Sequence, residues 1–274
     1  MRFAHVMGFV FALGMPAAAQ QVTKAAPLAI GETFTITSRV LREPRRINVY
    51  APPEYVASDT VRLPVLYMPD GGMAEDFLHV AGLVQVLVGN GTMRPFLLVG
   101  IENTERRRDL TGPTDDPQDL RIAPRVGKSA DFRRFIRTEL MPQVRSRYRT
   151  TDETAIVGES LAGLFVIETL LLEPDLFDTY IAFDPSLWWD RERLISSADS
   201  LLRNKGAPRK RLYFATSNVT GAPAMAERFK NVLEKGGNAH LEWQYQFFPD
   251  ETHATIYHPA ALRAFREMFK PAPK

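Results

Sequence analysis

The chain contains no cysteine among its 274 residues. It therefore has no disulfide framework, no thiolate nucleophile and no zinc site built on cysteine ligands. It also lacks a strong charge of either sign, because 34 basic and 32 acidic residues leave a net charge of +2. The basic residues are scattered, and so small an excess does not provide a general phosphate-binding surface. We expect no nucleic acid among the partners.

The sequence also has no apolar run long enough to cross a membrane. The apolar run near the N-terminus is too short for that. Arg2 and His5 precede the apolar residues Val6–Met15, and Pro16–Gln20 contains a small-residue cleavage pattern ending at Ala19. Such a segment is typical of a signal peptide, here residues 1–19, rather than of a membrane anchor. No later run reaches the ~18 apolar residues of a membrane span. The sequence thus predicts export, to a bacterial periplasm or beyond, without a membrane span.

The remaining residues, 20–274, have the composition of a single globular domain, with 45% hydrophobic and 24% charged residues. Continuous apolar runs alternate with segments of helical period from Leu63 onward, after two shorter alternating runs. This order predicts an α/β fold with a mostly parallel sheet and helices on both faces. The predicted strands are Thr33–Ser38, Arg46–Ala51, Leu63–Met68, Pro95–Ile101, Thr154–Val157, Tyr180–Phe183, Leu212–Thr216 and Leu241–Phe248. Predicted helices lie near 74–88, 129–148, 161–172, 190–203, 222–236 and 259–269, and Glu102–Lys128 is predicted to be a long irregular loop.

One strand runs directly into a tight turn and a buried helix. The turn reads Gly158-Glu159-Ser160-Leu161-Ala162-Gly163. A G-x-S-x-G turn in this context exposes a serine hydroxyl above the sheet, and small flanking residues let strand and helix approach closely. Ala162 stands at the fifth position but remains small. We interpret Ser160 as a nucleophile.

The base should be a histidine on a loop after the last strand, since the chain order nucleophile, acid, histidine is typical of this arrangement. His253 lies on such a loop, between the last predicted strand and the last predicted helix. We therefore predict His253 as the base. His258, close to the start of that helix, is the alternative.

Two further parts of the site can be sought from chain order. The loop after the first central strand, with Gly71 and Gly72, and the backbone of Leu161 are the candidate N–H donors of an oxyanion hole. The acid is harder to find, because the strand Leu212–Thr216 is followed by Asn218 and no carboxylate. Asn218, Glu227 and Glu251 remain candidates for orienting His253, and a slower Ser–His pair without an acid is also open.

Four segments resemble the "Putative esterase" family of α/β-hydrolases, which contains esterase D and the ferric-siderophore esterases. Val99–Thr111 resembles its GI-N-x-x-R-x-R-D-L-T stretch, Gly158–Leu164 its G-H-S-x-G-G-L elbow, Asp184–Asp190 its S-P-S-L-W-W-D segment, and Glu251–His253 its E-x-H end. The chain departs from the elbow at Glu159, which replaces His, and at Ala162, which replaces Gly. The resemblance covers about residues 33 to 269.

The resemblance implies an α/β-hydrolase fold, a carboxylic-ester substrate such as a siderophore, Ser160 as nucleophile and His253 as base, with no cofactor or metal. The periplasmic siderophore esterases of the family lack a conventional acid, so the absence of a carboxylate near Asn218 is compatible with the resemblance. Arg106 and its neighbours then form either a cationic wall for an anionic substrate or structural ion pairs, and Trp188 lines either an acyl pocket or the core. Acyl transfer to an alcohol and ligand binding without catalysis remain the alternative functions.

Overall fold

The computed structural model describes residues 24–123, 125–203, 209–236 and 240–272. The predicted signal peptide, residues 1–19, lies outside the described residues. Eight strands of the described part form one sheet in the order β1-β2-β4-β3-β5-β6-β7-β8. The strands are β1 (Glu32–Ser38), β2 (Glu43–Tyr50), β3 (Leu63–Pro69), β4 (Leu97–Ile101), β5 (Thr150–Glu159), β6 (Thr179–Phe183), β7 (Lys210–Thr216) and β8 (Leu241–Phe247).

Strand composition follows position in the sheet. The apolar strands β3, β4, β6 and β7 are buried almost throughout and pair in parallel, as does the apolar end of β5. The edge strand β1 alternates between exposed and less exposed residues and pairs with β2 in antiparallel register. Strands buried on both faces need apolar side chains at consecutive positions, whereas an edge strand does not. The predicted mostly parallel sheet is confirmed.

Helices cover both faces of this sheet. Alternate residues of β3 divide between two apolar clusters: Val65 and Tyr67 belong to one, and Leu66 and Met68 to the other. The helices are α1 (Pro53–Val56), α2 (Phe77–Gly89), α3 (Arg106–Leu110), α4 (Pro117–Ile122), α5 (Ser129–Phe135), α6 (Met141–Arg147), α7 (Leu161–Leu172), α8 (Trp189–Arg203), α9 (Ala222–Lys235) and α10 (Tyr257–Met268). Helices α2 and α10 pack on the second face, and α5, α7, α8 and α9 pack on the first.

Three segments differ from the sequence expectations. The stretch 102–128, expected to be irregular, contains the short helices α3 and α4. The helix expected over 129–148 is interrupted by a π-helical turn at Ile136–Leu140. Helix α8 begins with Asp190, Arg191 and Glu192 in left-handed conformations. Within the described part of the chain, no helix combines the length and apolar character that crossing a bilayer requires.

Candidate active site

Ser160 lies at the sharp turn between β5 and α7. Its backbone has φ 61° and ψ −119°, which is unusual for a residue with a side chain and raises its hydroxyl above the end of the sheet. The turn is fixed by the Ser160 N–H, which donates to Phe183 O at 3.0 Å. A Cβ at Gly158 would lie 2.7 Å from Ala162, so the strand and helix meet closely there. The strand, turn and helix expected around Ser160 are therefore present, and Ala162 fits at the fifth position.

His253 is carried by the loop between β8 and α10. Its Nε2 lies 3.1 Å from Ser160 Oγ, within hydrogen-bond distance. The alternative base, His258, instead pairs with His79, with 3.0 Å between His258 Nδ1 and His79 Nε2. The structure thus brings Ser160 together with His253 and not with His258.

Asp184 holds the other side of the His253 ring. Its Oδ2 lies 3.1 Å from His253 Nδ1. The Asp184 side chain is only 1% exposed, and it also accepts hydrogen bonds from the N–H of Ser217 at 2.7 Å and from the hydroxyl of Ser217 at 2.6 Å. A buried carboxylate needs such donors to offset the loss of water. Ser160, His253 and Asp184 therefore form a continuous chain of hydrogen bonds.

The residues suggested from sequence as partners of His253 lie elsewhere, so that expectation is wrong. Asn218 supports the loop rather than the ring: its side-chain amide donates to Pro249 O and its N–H to Glu251 O, both at 3.0 Å. Glu227 is exposed on α9 and pairs with Lys230. Glu251 meets Asn218 through its backbone carbonyl oxygen. The signal for Asp184 is its position: it replaces the first serine of the S-P-S-L-W-W-D pattern.

The predicted oxyanion donors are only partly available. The Gly71 N–H donates to Ile101 O at 3.0 Å, and a Cβ at Gly71 would collide with the backbone of Gly100. Gly71 is thus required for close packing against β4, and the expectation that its N–H faces a substrate is wrong. The Gly72 N–H donates to Glu75 Oε2 at 2.7 Å, so an oxyanion would have to displace that carboxylate. Leu161 is the first residue of α7, where backbone N–H groups have no partner within the helix.

A second carboxylate, Glu159, lies beside the catalytic candidates. Its Oε1 is 3.3 Å from His253 Nε2, and burial raises the pKa of Glu159 to about 7 although His253 and Arg106 act in the opposite direction. The pKa of His253 is raised above its ordinary value of 6.5, chiefly by the hydrogen bond to Asp184, with Glu159 adding to the effect. The imidazole is therefore flanked by a carboxylate at each ring nitrogen. This arrangement favours its protonated form.

Two of the three arginines of α3 form ion pairs within the protein. Arg106 binds Asp70 through two hydrogen bonds, from Nε at 2.7 Å and from Nη2 at 2.8 Å. Arg108 binds Glu43 and Asp109. These contacts support the structural interpretation of this cluster over a free cationic wall.

The two neighbouring tryptophans have different surroundings. Trp189 is 4% exposed and donates from Nε1 to Gly112 O at 2.9 Å, which fixes it in the core. Trp188 is 41% exposed, with its ring centroid 5.9 Å from that of Trp189. Trp188 lies two residues after Ser186, whose N–H donates to Ser160 O at 3.0 Å. Trp188 is therefore an exposed aromatic residue on the segment that contacts the elbow.

Glu159, Asp184 and His253 each offer a ligand atom, and these atoms lie within 4.8 Å of one another, close enough for a metal ion. Two of these groups, His253 and Asp184, however, form the hydrogen-bond chain to Ser160, and both Asp184 oxygens already accept bonds from Ser217. A serine with its hydroxyl at an imidazole is what nucleophilic catalysis requires. The donor set fits that role better than metal binding.

Comparisons with known proteins find similar sequences and similar structures. A family model described as "Putative esterase" matches residues 38–260. The chain is 27% identical to the ferri-bacillibactin esterase BesA of Bacillus subtilis, over 92% of this chain and 96% of that protein. It is 30% identical to the siderophore triacetylfusarinine C esterase of Aspergillus fumigatus, over 60% of this chain and 58% of that protein. An IroE-like serine hydrolase from Shewanella oneidensis superposes with a TM-score of 0.79 at 29% identity, covering 88% of this chain and 80% of that one.

Proposed function

Because this chain belongs to the "Putative esterase" family, we propose that it is a serine hydrolase that cleaves carboxylic esters of the siderophore type through Ser160, His253 and Asp184. The observation that carries the proposal is the hydrogen-bond chain from Ser160 Oγ through both His253 nitrogens to Asp184. These three hydrogen-bonded side chains supply a nucleophile, a base that accepts its proton, and a buried carboxylate that orients the base.

In the first half-reaction, Ser160 Oγ attacks the ester carbonyl carbon while its proton moves to His253 Nε2. The carbonyl oxygen becomes negative, and we assign its stabilisation to the Leu161 N–H at the start of α7. The tetrahedral intermediate then breaks its bond to the alcohol oxygen, which takes the proton from Nε2. The alcohol leaves, and an acyl group remains on Ser160.

In the second half-reaction, water replaces the alcohol. His253 Nε2 takes a proton from this water as it attacks the acyl carbon, and the proton returns to Ser160 Oγ when the acid leaves. Asp184 keeps the Nδ1 proton on the ring throughout, so that Nε2 is free to accept the serine proton. No redox step or external co-reactant besides water is needed for this balance.

The substrate class rests on the relatives, since BesA of Bacillus subtilis is named as a ferri-bacillibactin esterase. We extend the chemistry that such names share, hydrolysis of an ester in an iron-chelating molecule, to this chain. Export through the signal peptide 1–19 belongs to the same proposal, because it would bring the enzyme towards incoming chelates.

Covalent labelling tests the proposal directly. A fluorophosphonate probe should form an adduct at Ser160 in the wild-type protein, and Ser160→Ala and His253→Ala should each lose labelling and ester hydrolysis while staying folded. Wild-type protein that is folded but unlabelled would contradict an activated serine and favour ligand binding without catalysis. Measuring products with added alcohol would distinguish hydrolysis from acyl transfer, since transfer yields a new ester.

A further inference from the structure

We propose that Glu159 is a specificity-determining residue that disfavours esters carrying a negative charge beside the leaving oxygen. The inference rests on the proposed function, because it concerns the leaving group of the Ser160 reaction. Glu159 also stands where the resemblance to the esterase family leads one to expect His. The chain therefore presents a carboxylate in place of a ring that is neutral or cationic.

Glu159 lies beside the His253 nitrogen that serves both the Ser160 hydroxyl and the leaving oxygen. Glu159 Oε1 lies 3.3 Å from His253 Nε2, the nitrogen that must protonate the leaving oxygen. That oxygen must come within about 3 Å of Nε2 to accept the proton. It then lies within about 6 Å of the Glu159 carboxylate, so a charge carried on the alcohol part of the ester comes close to Oε1.

The charge of Glu159 is offset only in part, by the His253 ring 3.3 Å from Oε1 and by Arg106. Oε1 is buried and accepts no hydrogen bond from the described residues. Arg106 lies near enough to lower the pKa of Glu159, but its guanidinium is bound through two hydrogen bonds to Asp70. Asp76 and Glu75 add further carboxylates around Asp70. A leaving group with its own negative charge would therefore meet repulsion here.

Protonation of Glu159 should also change the discrimination against anionic esters. The groups acting on this carboxyl are His253, Arg106, Asp184 and Asp70, and burial outweighs the two cations, so its pKa is about 7. The carboxylate is charged above that pH and neutral well below it. Discrimination against anionic esters should therefore weaken as the pH falls through about 7.

The test compares two esters of nearly identical shape, 3-acetoxybenzoate and 3-acetoxybenzamide, which release a charged and a neutral phenol. Their kcat/KM values are measured at about pH 8.5 for wild type, Glu159→Gln and the matched control Glu227→Gln. Glu227 is an exposed acid of α9 paired with Lys230. The quantity of interest is the amide-to-carboxylate ratio of kcat/KM, because any general change in the base cancels in it.

We expect Glu159→Gln to lower this ratio about fivefold, which is the effect of two unit charges about 8 Å apart in an effective dielectric constant of about 40. Glu227→Gln should leave the ratio unchanged. In the wild type, raising salt from about 0.05 to 0.5 M should lower the same ratio, which tests the idea even if the variant fails to fold. An unchanged ratio in active Glu159→Gln, or no salt effect in the wild type, overturns the inference while leaving the esterase intact. Wild-type protein inactive on both esters and unlabelled at Ser160 overturns the proposed function, and the inference with it.

Discussion

Replacing Asp184 by Asn should remove most of the activity, although the two side chains have the same shape. Asp184 accepts three hydrogen bonds, from the N–H and hydroxyl of Ser217 and from the His253 ring. An asparagine offers one acceptor oxygen and one donor amide group. If its oxygen stays on the Ser217 N–H, its NH2 group faces His253 Nδ1.

This NH2 group would force Nδ1 to act as an acceptor, so the ring proton would move to Nε2. His253 could then no longer accept the proton of Ser160. In a serine-protease triad the corresponding change lowers kcat about 10⁴-fold, or about 5.5 kcal/mol. The similar geometry here leads us to expect a loss of the same order in kcat/KM.

The assay is ester hydrolysis across pH, with protein folding checked by thermal unfolding. Asn218→Ala and Glu227→Gln serve as comparison variants because neither side chain contacts the His253 ring. We expect Glu227→Gln to keep the wild-type rate and Asn218→Ala to lose far less activity than Asp184→Asn. A folded Asp184→Asn variant within tenfold of the wild type would refute the reasoning and show that Ser160 and His253 act as a pair.

Three further predictions concern the base, the buried ion pair and the elbow. The raised pKa of His253 means that kcat/KM should fall on acidification at a midpoint above 6.5, because the protonated ring cannot act as base; a pH–rate profile with its midpoint below 6.5 would contradict this. Asp109→Asn should lower the free energy of unfolding by about 1–3 kcal/mol, since it removes one of the two carboxylates that pair with the fully buried Arg45 and leaves only Glu43, and denaturant unfolding measures it. Gly158→Ala should lower the free energy of unfolding by about 1–3 kcal/mol, because the added methyl group overpacks against Ala162. An unchanged midpoint of unfolding would contradict this and show that the turn relaxes.

The fold could be predicted from sequence because its strands carry strong local signals. Strand β6 reads as an apolar run, and its burial on both faces requires such a run. Helix α7 was predicted with the bounds that the structure has, Leu161–Leu172. The short helices of 102–128 were missed because ion pairs such as Arg108 with Glu43, rather than an apolar stripe, hold that stretch.

The site was predicted less completely, since it depends on contacts between distant segments. Ser160 is recognisable because the elbow is local, a strand and a helix joined by small residues. The Gly71 N–H could not be judged from sequence, because its acceptor, Ile101 O, belongs to another strand. The sequence also could not show that Glu75 accepts a hydrogen bond from the Gly72 N–H, because that contact depends on the conformation of the turn from Gly72 to Glu75.

The position of Asp184 follows from the geometry of neighbouring parallel strands. Strands β6 and β7 end at the same edge of the sheet, and the Asp184 N–H donates to Ala215 O of β7 at 2.8 Å. A carboxylate after either strand can therefore reach an imidazole above that edge. Here β7 continues into Ser217, which donates two hydrogen bonds to the carboxylate that follows β6. Chain order predicts the acid among the residues after β7. In the sheet, however, a residue after β6 lies at the same edge as a residue after β7. The two hydrogen bonds from Ser217 favour the carboxylate that follows β6.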